Sequence, residues 1–399
     1  MERKKSVSLR DKLWELLKTR DLDVVQQALL LNDGFDEPLL SHDEIIAYFI
    51  ADFRKNIQIN LFLMDYFEGR GFTHLDKLKC SGQKISALPD SLGALSQLNT
   101  LIFEKTLISE LPTSIGELRN LSVLKIERTP LSALPDSIGG LKSLEWLLLI
   151  KTDLMALPDS LGRLSELRKL IIHSAPLTSL PDTIGQLQNL QGLSLSRTDL
   201  SALPDSIGDL AKLESLALDG KHGLELPESL ARLKKLRRLS LRNFRKLTLP
   251  DWLGELKALE SLIFQRCTDI VLPESIGALK KLTKLECDQS SLSTLPDSIM
   301  KLDQLRELEI SGQDIETIPE SIGSLKNLVV LKLQGTNISA VPEAIGELGK
   351  LVELDLRETP ITSLPSSIHQ LTNLQYVDLS PSQKKQLEPY LQGLPVHWH

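Results

Sequence analysis

The sequence predicts an α/β repeat array, on three observations. A Leu-Pro-like dipeptide returns at Leu88, Leu111, Leu134, Leu157, Leu180, Leu203, Leu226, Leu249, Leu272, Leu295, Ile318, Val341 and Leu364, each followed by proline, always 23 residues apart. Upstream of each dipeptide, apolar residues alternate with period two, the mark of a short strand with one face inward. Downstream, an apolar pair three residues apart follows the proline, the mark of a helical start. A fixed period of this length is the signature of stacked supersecondary units that bury their faces against one another.

The unit from Leu121 to Ser143 shows how each part is justified. Leu124 and Ile126 flank Lys125, so the strand points two leucine-like side chains inward and one polar side chain out. Pro135 suits the first turn of a helix, Asp136 complements its N-terminus, and Ser137 is a common cap. Ile138 and Leu141 form the inward stripe. Gly139 and nine equivalents are expected to let successive helical segments pack closely.

The pattern LxxLxLxxTxLxxLPxSIGxLxx resembles the leucine-rich repeat family, in the 23-residue variety of bacterial proteins, plant intracellular repeats and Ras-pathway scaffolds. The resemblance covers residues 75–379, about 13–14 units. It implies a solenoid wound as a right-handed superhelix, with a curved parallel β-sheet on the concave side and short helices or 3₁₀ turns on the convex side. It is specific for fold and silent on function. The family's usual Asn after the strand is absent. That column reads Gln83, Thr106, Thr129, Thr152, Ala175, Thr198, Lys221, Phe244, Cys267, Ser290, Gln313, Thr336, Thr359 and Ser382. Its threonines are expected to hydrogen-bond backbone as a structural ladder. Three successive units depart further: their inward residue slips one place, to Leu224, Leu247 and Ile270. The turn there must be built differently, either by drift in a tolerant loop or as a binding feature.

Residues 1–74 do not fit the period. Leu9–Leu17 and Leu22–Leu31 have helical spacing. Ser41 with Glu44 resembles a capping box opening a helix through Ile45, Ile46, Phe49 and Ile50, and the run Ile57–Phe67 follows, up to Gly69 and Gly71. Three or four helices are expected, forming a helical N-terminal cap or a docking module. Residues 380–399 read as a C-terminal cap: a helix after Ser380-Pro381 through Leu387 and Leu391, then a short strand at Val396.

Composition narrows the function. The chain has 399 residues, 46 basic against 53 acidic, net charge −7 and 4% aromatics. That balance argues against a nucleic-acid partner. No run of 18 apolar residues is present, so no membrane partner is expected, and the charged stretch at Arg10, Asp11, Lys12 and Glu15 gives no secretory signal. The expected location is cytoplasmic, in a bacterial setting by resemblance, with export as an effector without a cleaved signal as the other option. Cys80, Cys267 and Cys287 form no paired framework, and Cys80 and Cys287 occupy core columns. The histidines are dispersed, apart from His397 and His399, and no phosphate-cradling glycine motif occurs. The expectation is no enzyme, no cofactor and no metal.

What remains is surface. In the outward strand columns, Ile102, Val123, Trp146, Leu148, Ile150 and Ile171 read as an apolar patch that the repeat does not require. Lys105, Arg128, Lys151 and Arg197 rim it, and Arg238, Arg242 and Arg266 lie beyond. Glu286, Asp288, Glu307, Glu309, Glu353, Asp355 and Asp378 make the later face acidic. Asp219 is placed in an outward column too. The expected partner is a protein, with an acidic segment as a candidate, and the chain a monomer or weak homodimer. Cover by the N-terminal helices or by a second copy is the competing explanation of the patch. The runner-up function is an adaptor or bacterial effector whose N-terminal helices recruit an enzyme while the repeats select its target.

Overall fold

A computed structural model describes residues 9–33, 38–41, 44, 45, 48, 63, 74–82, 85–221, 223–292, 295–312 and 314–399. The chain divides into two compact units. One is Met1–Leu167 with Ser174–Pro176; the other is Arg168–His173 with Leu177–His399.

The first unit opens with α1 (Leu9–Lys18) and α2 (Leu22–Asp33). Leu13 and Leu17 of α1 and Val25, Ala28 and Leu29 of α2 are buried, which is the spacing that predicted them. Ser41 and Glu44 make the expected reciprocal cap. The Glu44 N–H donates to Ser41 Oγ at 3.2 Å, and the Ser41 N–H donates to Glu44 Oε2 at 2.9 Å. Ile46, Phe49, Ile50 and the run from Ile57 to Phe67, Leu63 excepted, lie outside the described residues. Four parallel strands follow: β1 (Lys77–Ser81), β2 (Thr100–Glu104), β3 (Val123–Glu127) and β4 (Trp146–Ile150). Their register aligns Leu78, Leu101, Leu124 and Leu147 in one inward row, and Cys80, Phe103, Ile126 and Leu149 in the next. All eight are essentially buried.

The second unit continues the pattern with β5 (Lys169–His173), β6 (Gly192–Ser196), β7 (Ser215–Asp219), β8 (Arg238–Arg242), β9 (Ser261–Gln265), β10 (Lys284–Asp288), β11 (Glu307–Glu309), β12 (Val330–Lys332), β13 (Glu353–Asp355), β14 (Tyr376–Leu379) and β15 (Val396–Trp398). Each pairs in parallel with the next, and β5 and β15 do not meet, so the sheet is unclosed. The last strand is the one expected at Val396. It follows a short helical stretch that opens on a capping box between Ser380 and Gln383.

Behind each Leu-Pro the chain makes one 3₁₀ turn, such as Asp136–Gly140, the second of the two forms expected on that side. The proline is the N-cap, extended at φ between −64° and −77°. The cap expected of the Ser column is not made. The hydroxyls of Ser91, Ser114, Ser137 and Ser206 are buried without a hydrogen-bond partner. In three of the four units that carry Glu after the proline, that longer carboxylate reaches the next unit: Glu274 accepts from the Ser298 N–H at 3.2 Å, Glu320 from the Ala344 N–H at 3.0 Å and Glu343 from the Ser367 N–H at 3.2 Å. The glycine column permits the stacking. A Cβ on Gly139 would lie 2.6 Å from the Ser160 carbonyl oxygen, and one on Gly254 would lie 2.6 Å from that of Ser275. Where the column holds Ala231 or Met300, the turns Glu228–Arg232 and Asp297–Lys301 pack less closely on those that follow.

The threonine ladder is made only in part. Thr336 and Thr359 donate to the carbonyls of Leu333 and Leu356, each at 2.7 Å. Thr106, Thr129, Thr152 and Thr198 are buried with hydroxyls that meet no partner, so burial of the methyl group, not a hydrogen bond, explains them. Gln83 and Gln313 lie outside the described residues.

Candidate functional site

The residues just after the strands carry a strained backbone. Lys105, Arg128, Lys151, Arg197 and Arg266 all sit at φ of 54–55°, the left-handed region. Gly82, Gly312 and Gly335 occupy equivalent positions at positive φ. Side chains there cost about 1–2 kcal/mol relative to glycine, so placing cations at them is not a backbone preference. All five cationic residues are exposed.

In the first unit, the outward face of the sheet holds Trp146, which is 45% exposed, with Val123, Leu148 and Ile150 half-buried. Trp146 pairs in register with Val123. Ile102 is half-buried as well, but it is separated from Leu148 by Lys125, which stands between them in the register. Lys125 bridges Glu104 at 2.9 Å and Glu127 at 2.8 Å, and Glu104 also meets Lys79 at 2.9 Å. Hydrogen bonds from Lys125, then Lys79 and Ser81, hold the Glu104 carboxyl down at about 2. The apolar surface of this unit is thus Val123, Trp146, Leu148 and Ile150, bordered by an ion-pair network.

In the second unit, Ile171 is half-buried on β5. Farther along, five cations gather. A groove of about 520 Å³ is lined by Arg197, Thr198, Asp199, Asp219, Lys221, Asn243, Arg245 and Arg266. A recess of about 200 Å³ shares four of these residues and adds His173, Ser196, Arg242, Gln265 and Asp288. Arg238 is exposed on β8 and lines neither. Asp219 is not the outward carboxylate that its column suggests. It is 2% exposed, accepting from the N–H groups of Arg197 and Lys221 at 3.1 Å each and from Asn243 Nδ2 at 2.8 Å. A carboxylate this short turns back to satisfy backbone donors and so pins the turns that carry the cations. Asp355 turns back in the same way, 1% exposed and bonded by the Arg357 guanidinium at 2.7 Å.

The slipped units build this wall. Leu224, Leu247 and Ile270 are buried, and the slip is absorbed by a second left-handed residue, Lys246 at 51° and Asp269 at 51°. Isolated parallel bridges Arg245–Thr268 and Thr248–Val271 form there, a minor ladder beside the main sheet. Phe244 fills the space that Gly220 leaves: a Cβ at Gly220 would overlap its ring. Lys221, Asn243 and Arg245 were missed in the outward columns because the turn, not the strand, positions them. The basic run Arg242-Asn243-Phe244-Arg245-Lys246 is the sequence signal that could have found Asn243 and Arg245.

The thiols offer no nucleophile. Burial pushes Cys80 up to about 12, and it raises Cys287 and Cys267 too. His399 Nε2 lies 3.1 Å from Asp378 Oδ1, and its ring stacks on His397. Among the described residues no cluster of three His, Cys, Asp or Glu side chains could hold a metal ion. No helix among them is long and apolar enough to cross a membrane.

The family model for the leucine-rich repeat region matches residues 70–174, 123–197, 182–288 and 320–394. No curated protein matches the chain in sequence. Among solved structures, the chain is similar to a leucine-rich repeat protein of Leptospira interrogans, at 28% identity and a TM-score of 0.56, over 82% of this chain and 97% of that one. It is also similar to an internalin of Listeria monocytogenes, at 18% identity and a TM-score of 0.62, over 79% and 92%. A third is Toll of Drosophila, in its complex with Spatzle, at 20% identity and a TM-score of 0.61, over 78% of this chain and 48% of that one. The last two likenesses establish a shared fold.

Proposed function

This chain belongs to the leucine-rich repeat family, and from that premise we propose that it is a non-enzymatic protein-interaction module whose partner binds on the strand face of the repeats. One observation carries the reading. Trp146, with Val123, Leu148 and Ile150 beside it, stands outward on a strand whose core rows are already filled by Leu147 and Leu149. The repeat has no use for apolar side chains there, and a partly exposed Trp amid apolar neighbours is the usual anchor of an interface. Arg128 and Lys151 sit at the ends of the same two strands and Lys105 at the end of the neighbouring β2, where they would steer an acidic partner segment. Among proteins of this fold, Toll is seen in a complex with Spatzle. In this reading the helices of the first unit cap the repeats, and the protein works in the cytoplasm. The adaptor reading, in which residues 1–74 recruit an enzyme, needs those helices to bind something by themselves.

The test is affinity capture with the full chain and with Trp146→Asp, each checked by a melting curve. The variant is expected to fold, because the side chain is 45% exposed, and to weaken capture of its partner by at least about 2 kcal/mol. A folded variant that captures the same partners at full strength removes this surface from the interface.

A further inference from the structure

The geometry points to the cationic groove of the second unit as a binding site for an extended acidic peptide that runs across strands β6 to β9. The inference rests on the interaction-module reading and adds a second locus and a ligand chemistry to it. Five cations line the groove and its adjoining recess: Arg197, Lys221, Arg242, Arg245 and Arg266. Three carboxylates also line them, Asp199, Asp219 and Asp288, which leaves an excess of two positive charges. Asp219 contributes little to neutralising the guanidinium groups, since its oxygens are taken by two backbone N–H groups and an amide. Among the described residues, the side chains of Arg197, Lys221, Arg242 and Arg245 make no ion pair, whereas Arg232, Lys234 and Arg237, on the other side of the same units, each hold a carboxylate. Arg242 Nε is buried without a hydrogen-bond partner, an unmet donor in the recess.

The length of the row chooses the ligand. Arg197 follows β6 and Arg266 follows β9, three strand spacings apart, or about 14 Å. A single phosphate or carboxylate cannot touch both. An extended chain rises about 3.3 Å per residue and returns a side chain to the same face every second residue, so about five residues span the row with two or three anionic side chains toward it. The planar guanidinium fork suits carboxylate and phosphate equally, so glutamate and phosphoserine are two sources of the one chemistry.

Fluorescence anisotropy tests this on the full chain. The probes are labelled eight-residue peptides with alternate glutamates, the same peptide with phosphoserines, and neutral versions with glutamine or serine. The acidic peptides are expected to bind at least ten-fold more tightly than the neutral ones, and more weakly as salt rises. Arg242→Gln with Arg266→Gln should lose at least ten-fold in affinity for them. Exposed Arg197→Gln and Arg245→Gln serve as the second pair, should the first alter melting. Tighter binding of phosphoserine than glutamate identifies phosphate as the natural source; the reverse identifies carboxylate. Absence of acidic-peptide binding, equal binding of the neutral peptides, or wild-type affinity in a folded double variant overturns the proposal. Such a failure alongside capture that still depends on Trp146 would leave the interaction-module reading intact. Peptide binding alongside capture that ignores Trp146→Asp would remove the Trp146 surface from the interface and keep the groove.

Discussion

At the scale of single residues, the threonine column separates two roles that look identical in the sequence. Thr152 is 3% exposed and its hydroxyl meets no partner, while Thr336 is 1% exposed and donates to the Leu333 carbonyl at 2.7 Å. A buried hydroxyl without a partner has lost its water for nothing, whereas a bonded one has been compensated. Thr152→Val should therefore raise stability by about 1 kcal/mol, and Thr336→Val should lower it by about the same amount. Denaturant midpoints of the two variants decide the matter, and equal effects of the same sign would show that the two sites do not differ. Asp219 teaches the complementary lesson. Its column predicted an outward carboxylate, but a side chain one carbon shorter than glutamate lies within reach of its own turn, and the backbone donors there won. Column arithmetic tells which way a Cα–Cβ bond points and not where a flexible polar end finishes.

At the scale of elements, the 23-residue period made most of the fold legible. The Leu rows, the strand positions, the Leu-Pro punctuation and the capping box at Ser41 all follow from spacing, and all are found where the spacing put them. The helical form of the convex segment was less legible, because five residues behind a proline support a 3₁₀ turn as readily as the first turn of an α-helix. The glycine column is where element packing is decided. Gly254→Ala would drive a Cβ against the Ser275 carbonyl, and a backbone oxygen cannot step aside as a side-chain end can. A loss of about 1–3 kcal/mol is expected, the range for overpacking. Gly349→Ala is the control: nothing lies within 4 Å of its Cβ position, so stability should be unchanged or slightly higher. Thermal melting of the pair checks both, and a tolerated Gly254→Ala would show that the turns can slide. The candidate site divides along the same line. Trp146, Arg242 and Arg266 were readable because they stand in or next to regular strands. Lys221 and Arg245 were not: Lys221 is exposed in a column that the period fills with buried threonines, and Arg245 lies on a turn rebuilt by the slip at Leu247.

At the scale of the whole chain, a repeat array stores its stability as a sum of units and nearest-neighbour interfaces, so damage at one place should stay near it. The segment after Ser380 offers a clean case. Gln383 Nε2 donates to the carbonyls of Leu356 and Thr359 and to the Thr359 hydroxyl at 3.0–3.1 Å. Leu387 is fully buried, and β15 pairs with β14 through the Val377 N–H, which donates to the Pro395 carbonyl at 2.9 Å, and the His399 N–H, which donates to the Leu379 carbonyl at 3.0 Å. Deleting residues 381–399 would uncover Val377 and Leu379, both buried in the intact chain, and leave β14 as an open edge. Each large side chain exposed costs roughly 1.5–3 kcal/mol, so the deletion is worth several kcal/mol in total. That loss should appear by hydrogen exchange as amides of β12 to β14 opening faster, while those of β2 and β3 keep their protection. The truncated protein should also associate at high concentration, since an unpaired parallel edge invites another strand. Uniform loss of protection from β2 to β14 would instead mean that the repeats unfold as one cooperative block. In that event a substitution on one strand would weaken every other, and the Trp146 surface and the cationic groove could not be tested as independent sites.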